Sequence, residues 1–259
     1  MRAEPSGSVP SRTIPHPAQR PALPSEAVAW STGPVTTAGR PKILEALDAY
    51  GPRPVWRGRV HFLAALVAAP AAVVLFLVAP GPMAKVAVTI YAVSLVGLFA
   101  VSASYHRLAH TETAVKWFRR ADHSMIFVLI AGTYTPLCLL ALPPAWGIPL
   151  LVAVWVAAIG GVITKMTMLG RGPGSAGSWL YIVIGWAAVV AVPALVTNLD
   201  ALQLVLLAVG GLLYTVGAIV LGKRWPDPVP HVFGYHEVWH SMTVAAGSCH
   251  FAVVALVLR

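Results

Sequence analysis

Between Tyr235 and His250 the chain reads YHEVWHSMTVAAGSCH, with His236 and His240 four positions apart. On a helix that spacing places both imidazoles on one face, Cβ atoms roughly 5 to 6 Å apart, which suits chelation of a divalent ion. Glu237 between them completes H-E-x-x-H, the metalloprotease pattern in which the glutamate serves as general base. Two metal chemistries are therefore open, and the other ionisable residues decide between them. His106 closes the stretch SASYH, with Ser102 one helical turn before it on the same face; Asp122 and His123 stand together in RADHSM.

The elements that must carry these residues follow from composition. Of 259 residues, 58% are hydrophobic and 10% charged, against about 25% charged in soluble domains. That balance describes an integral membrane protein. Seven apolar segments approach the roughly 20 residues needed to cross a bilayer: Val60 to Ala79, Val86 to Tyr105, Ser124 to Leu142, Ile148 to Met168, Trp179 to Val196, Leu202 to Leu221 and Tyr235 to Leu258. None alternates as a barrel strand would, so each is expected to be a helix that satisfies its own backbone. The predicted fold is an all-α membrane protein, a seven-transmembrane-helix bundle over residues 56–259 behind a tail, 1–55, rich in Pro, Ser, Thr and Arg. The tail's composition predicts disorder, with no cleaved signal peptide; Ile43 to Tyr50 is compatible with a short interfacial helix.

Net charge is +9, but its placement argues for topology and against nucleic-acid binding. Eight of the 18 Lys and Arg precede the first span and eight lie in or beside the loops after spans two, four and six, leaving only Lys85 and Arg259. The positive-inside rule then puts the N-terminus in the cytoplasm and the C-terminus outside, as expected of a multi-pass protein of the inner (plasma) membrane. Cys138 and Cys249 fall within spans and suggest no disulfide framework.

With that topology His106, Asp122, His123, His236 and His240 all reach the cytoplasmic end. Ionisable groups in membrane segments are functional candidates by default. Neutral imidazoles suit zinc, and three protein ligands leave the open position of a catalytic site. The expected assignment is His106, His236 and His240 as ligands to Zn2+, Asp122 as the carboxylate that orients or deprotonates the water, and Ser102 as a hydrogen-bonding partner. Other histidines carry less. His61, at a helix entry, and His110, in a loop, read as solvated or interfacial; His123 reads as a structural partner and His250 as buried and hydrogen-bonded, about 21 Å along the helix from His236. His16 and His231 carry no signal.

The protease alternative is weak. The extended metzincin pattern needs Gly and His where this chain has Thr243 and Ala246, and Glu237, one step from His236, is turned off the ligand face toward the headgroups. Gly160, Gly161, Gly210 and Gly211 read as points of close helix packing, Tyr134 and Pro136 as the end or kink of span three. Trp56, Trp117, Trp146, Trp179 and Trp239 read as an aromatic belt. The glycine-rich stretch LGRGPGSAGS lacks the order of a phosphate-binding loop.

WRGRVHFLAAL, SASYHRL, DHSMIFVLIAGTYTP, HEVWH and CHF together resemble the hemolysin III family, related to the adiponectin and progestin receptor group. The resemblance covers about Arg53 to Arg259. It implies a seven-helix bundle with a zinc site on the cytoplasmic side, matching the family's Ser and His of span two to Ser102 and His106, its span-three Asp to Asp122 and its span-seven pair to His236 and His240. The wider superfamily includes alkaline ceramidases, which implies hydrolysis of an amide or ester bond in a membrane lipid, with Asp122 moving the proton. Two other readings stay open: a membrane sensor or regulator with structural zinc, and the cytolysis by pore formation that the family's name implies.

Overall fold

A computed structural model describes residues 54–168 and 178–259. The expected tail therefore lies outside the described residues except for Pro54 and Val55, as do Ile43 to Tyr50 and the glycine-rich stretch up to Gly177. Among the described residues there are seven helical spans long and apolar enough to cross a membrane. They comprise α1 (Arg59–Val78), α2 (Gly81–Leu108), α3 (Glu112–Pro136), α4 (Pro144–Met168), a broken fifth span, α7 (Ala201–Lys223) and α8 (Tyr235–Val257). The fifth span consists of α5 (Trp179–Gly185), a 3-10 stretch (Trp186–Ala191) and α6 (Val192–Asn198).

The largest departure from the sequence-based expectation is in span three. Its apolar run begins at Ser124, yet α3 starts at Glu112, so Asp122 and His123 lie inside the helix and not ahead of it. Thr111 caps it, its hydroxyl accepting from the Ala114 amide at 3.2 Å. Glu112 places negative charge at the positive end of the helix dipole. The cap defines where the helix begins, and hydropathy registers only where it enters the apolar layer.

Span five breaks where span three can repair it. The 3-10 stretch frees backbone groups that lipid cannot satisfy, and Tyr134 of α3 takes up two of them. Its hydroxyl donates to the Gly185 carbonyl at 2.8 Å and accepts from the Ala188 amide at 2.7 Å. Tyr134 is thus a bridge between helices; the irregularity expected near it falls just beyond, in a π-helical turn at Leu137–Ala141.

Two clusters of buried side chains organise the bundle. One joins α3, α4, α5 and α6 through Phe127, Tyr134, Val154 and Ile184. The other joins α1, α2, α3 and α8 through Leu75, Val88, Phe99, Leu129 and Val254. Among the glycines expected at close contacts, Gly161 backs directly onto the Phe127 ring and Gly210 onto His250, while Gly160 faces open space and Gly211 makes only ordinary contact. Trp56, Trp117, Trp146 and Trp179 are exposed. Trp239 departs from that belt: it is half-buried and lies against Gly217.

α2 and α3 are the most enclosed spans, with 56% and 61% of their apolar windows buried, followed by α8 at 33%. These three carry the candidate site. Replacing Tyr134 by Phe leaves the Gly185 carbonyl and the Ala188 amide without their shared partner, which costs about 1–3 kcal/mol. A lowered midpoint in thermal unfolding of the detergent-solubilised protein, alongside an unchanged midpoint for the exposed control Trp146→Phe, is the expected result.

Candidate metal centre

Three imidazoles meet at one end of the bundle. His106 comes from the last turn of α2 and His236 and His240 from the first two turns of α8. One ligand nitrogen from each lies within 4.8 Å of the others. The Nε2 atoms of His106 and His236 are 3.3 Å apart. Two nitrogens bound 2.0–2.1 Å from a zinc ion across a tetrahedral angle would stand roughly 3.3 Å apart. His106 and His240 are buried, and Nδ1 of His240 has no hydrogen-bond partner. Convergent, carboxylate-free imidazoles, two of them buried and His236 half-buried, are a donor set that fits zinc.

Asp122 lies outside this three-nitrogen group. Ser102, the expected hydrogen-bonding partner, is 2% exposed and one turn before His106 in α2. His123, the neighbour of Asp122, turns Nδ1 to the Arg119 carbonyl at 2.9 Å, and the His123 carbonyl accepts from the Tyr181 hydroxyl at 2.9 Å. The structural role expected for His123 is the one observed. His250 has the expected hydrogen-bonding contact, Nε2 3.3 Å from the Leu207 carbonyl, but is half-buried, and His110 and His231 are exposed.

Two residues do not match. Glu237 does not face headgroups; it is 0% exposed and both its oxygens are engaged. Oε1 accepts from Arg57 Nε at 2.5 Å and Oε2 from the Gly234 amide at 3.0 Å. A carboxylate so committed cannot serve as general base, which removes the protease chemistry of H-E-x-x-H. Burial in a bundle makes the pair obligatory, because a lone charge there would cost several kcal/mol.

His61 is the second. It is 3% exposed, stacked on His240 with ring centroids 3.9 Å apart, and belongs to the site rather than to a solvated helix entry. The signal in the sequence was an imidazole within the apolar run VHFLAAL, where burial is costly unless the residue has a task.

The segment before α1 explains how His61 and Arg57 arrive. Val55 and Trp56 donate their amides to the His231 and Val232 carbonyls at 3.1 and 3.0 Å, tying this segment to the approach to α8. Gly58 then turns the chain with φ of 76°, and a Cβ there would stand 2.7 Å from Cβ of His106. Only glycine meets both demands.

Comparison with known proteins places this arrangement. Residues 50–251 match the model of a family described as haemolysin-III related. The chain belongs to the haemolysin-III related family. Within it, the chain is similar to Hemolysin-3 of Bacillus cereus, 36% identical over 198 residues covering 75% of this chain and 86% of the relative. It is similar also to the Hemolysin-3 homolog of Bacillus subtilis (strain 168), 34% identical over 198 residues, 75% and 89% of the two chains. Every site residue named above falls inside the span shared with the haemolysin-III related family, including Arg57 and His61.

The Arg57–Glu237 pair makes a direct prediction. Arg57→Met leaves a buried carboxylate uncompensated and costs about 3–5 kcal/mol. The double variant Arg57→Met with Glu237→Leu recovers most of that loss in thermal unfolding, since it removes the stranded charge.

Proposed function

We propose that the protein is a zinc-dependent hydrolase of an amide or ester bond in a membrane lipid, working at the cytoplasmic end of a bundle in the inner (plasma) membrane, with the N-terminus inside and the C-terminus outside. The observation that carries this reading is the convergence of three imidazoles, His106, His236 and His240, on one point with no carboxylate among them; Asp122 of α3 lies outside that group and is left for the base. A staple would be served by four ligands, whereas hydrolysis needs an open position and a base. The sidedness rests on the distribution of Lys and Arg between alternate loops.

In this reading His106, His236 and His240 hold the ion. When bound, zinc polarises a carbonyl and lowers the pKa of its water to about 7. Asp122 accepts the proton that the attacking water gives up and returns it to the leaving amine or alcohol. Ser102 orients that carboxylate through a hydrogen bond. Helices α2 and α3 exclude bulk water from the reacting bond, which strengthens both interactions.

A cavity supports a lipid over a soluble substrate. A cavity of about 130 Å³, partly open to the outside, is lined mainly by apolar side chains, among them Leu98, Ile130 and Trp186. Trp239 and Thr243, the neighbours of His240 along α8, also line it, whereas the three histidines themselves do not. An apolar lining of this kind suits part of a hydrocarbon chain better than a polar, soluble substrate.

Purified protein loaded with zinc is expected to release fatty acid from a panel of lipid amides and esters in mixed micelles. His240→Ala abolishes both bound zinc and turnover. Asp122→Asn keeps zinc but lowers turnover by about 10²–10⁴. Equal release by parent and His240→Ala protein would refute the hydrolase. The names of the two Bacillus relatives favour a second reading, cytolysis; leakage of dye from liposomes that is unaffected by His240→Ala would support that one instead.

A further inference from the structure

The roles assigned above leave one buried imidazole at the site without a task. His61, in the first turn of α1, lies face to face with His240: centroids 3.9 Å apart, planes inclined by 14°. Its ring is also 5.2 Å from Phe99 of α2. Neither of its nitrogens makes a hydrogen bond of acceptable geometry.

His61 is not a fourth ligand beside His240. Imidazole lone pairs lie in the ring plane, and two nearly parallel planes at this spacing cannot both contain an ion 2.0–2.1 Å from a nitrogen of each. The need it meets is a different one. A ligating histidine ordinarily gives its second nitrogen to a carboxylate, carbonyl or water, and that bond holds the ring at the angle the metal requires. Among the described residues no hydrogen bond holds the His240 ring, and its Nδ1 is buried without a partner. Flat aromatic contact is the restraint that remains. His240 meets His106 at 5.1 Å and His236 at 4.6 Å, both at steep angles, so His61 supplies the one parallel face.

We propose that His61 is a positioning residue, which sets the plane of the His240 imidazole by face-to-face packing and so aims it at the His106–His236 pair. The inference rests on the metal reading above. It also gives the first span a purpose at the site: the Gly58 turn and the Arg57–Glu237 pair deliver the His61 ring to the back of His240.

The test compares aromatic with aliphatic replacements in the full-length protein in detergent. Zinc affinity is measured by competition with a chromophoric chelator, and ligand geometry by the visible absorption bands of the cobalt-substituted protein. His61→Phe keeps the flat face and is expected to bind zinc within about threefold of the parent, with unchanged cobalt bands. His61→Leu and His61→Met remove it, weakening zinc about tenfold and shifting the bands, with the melting temperature of the metal-free protein little changed. Parent-like affinity and bands in both aliphatic variants would overturn the inference. So would an equal loss in His61→Phe, which would assign the effect to the nitrogens, or failure of both aliphatic variants to fold, which would make His61 a folding residue. A parent protein that binds no zinc is a separate outcome: it refutes the metal reading itself and this inference with it.

Discussion

A polar atom inside a bilayer-spanning bundle has no water to fall back on, and that constraint explains the pairing of several polar side chains that this chain buries. Lipid offers no replacement for a lost hydrogen bond, so such a group gains by finding a partner in the protein. Tyr134 meets the backbone of a broken helix, and Glu237 meets Arg57. Three histidines meet one another, in a geometry that an ion would complete.

The site is assembled from helix ends, and the order of the chain explains how. α2 ends at the surface where α8 begins, so a histidine in the last turn of one and two in the first turns of the other share a depth without any long insertion. Asp122 stands inside α3, because the cap at Thr111 starts that helix well before its apolar core. The segment ahead of α1 closes the arrangement, pairing with the approach to α8 and crossing α2 at a glycine too close for any side chain. Helix ends carry fewer packing demands than helix middles, which leaves room there for polar chemistry.

Much of this was readable from residue order. Span number, the convergence of three histidines from two spans, and the i, i+4 pair all follow from periodicities that hydropathy and helical geometry make explicit. Three features did not show. The helix wheel turns Glu237 off the ligand face, which says which way a side chain points but not that Arg57, 180 residues away, waits there. His61 reads as solvated or interfacial because it stands at a helix entry, and residue order does not show that its ring stacks on His240. The start of α3 was hidden by the charged turn that precedes its apolar half. Each miss involves a contact distant in sequence, or a cap, and neither leaves a mark in hydrophobicity.

The central claim, that α2 and α8 jointly grip one zinc ion, is tested most directly by zinc-edge X-ray absorption on the purified protein. The account predicts one zinc per chain with three imidazoles and one further oxygen ligand at about 2.0–2.1 Å, the imidazole signal falling when His106 is replaced. A protein that retains no zinc, or zinc bound through sulfur, or a spectrum indifferent to loss of His106, would contradict it.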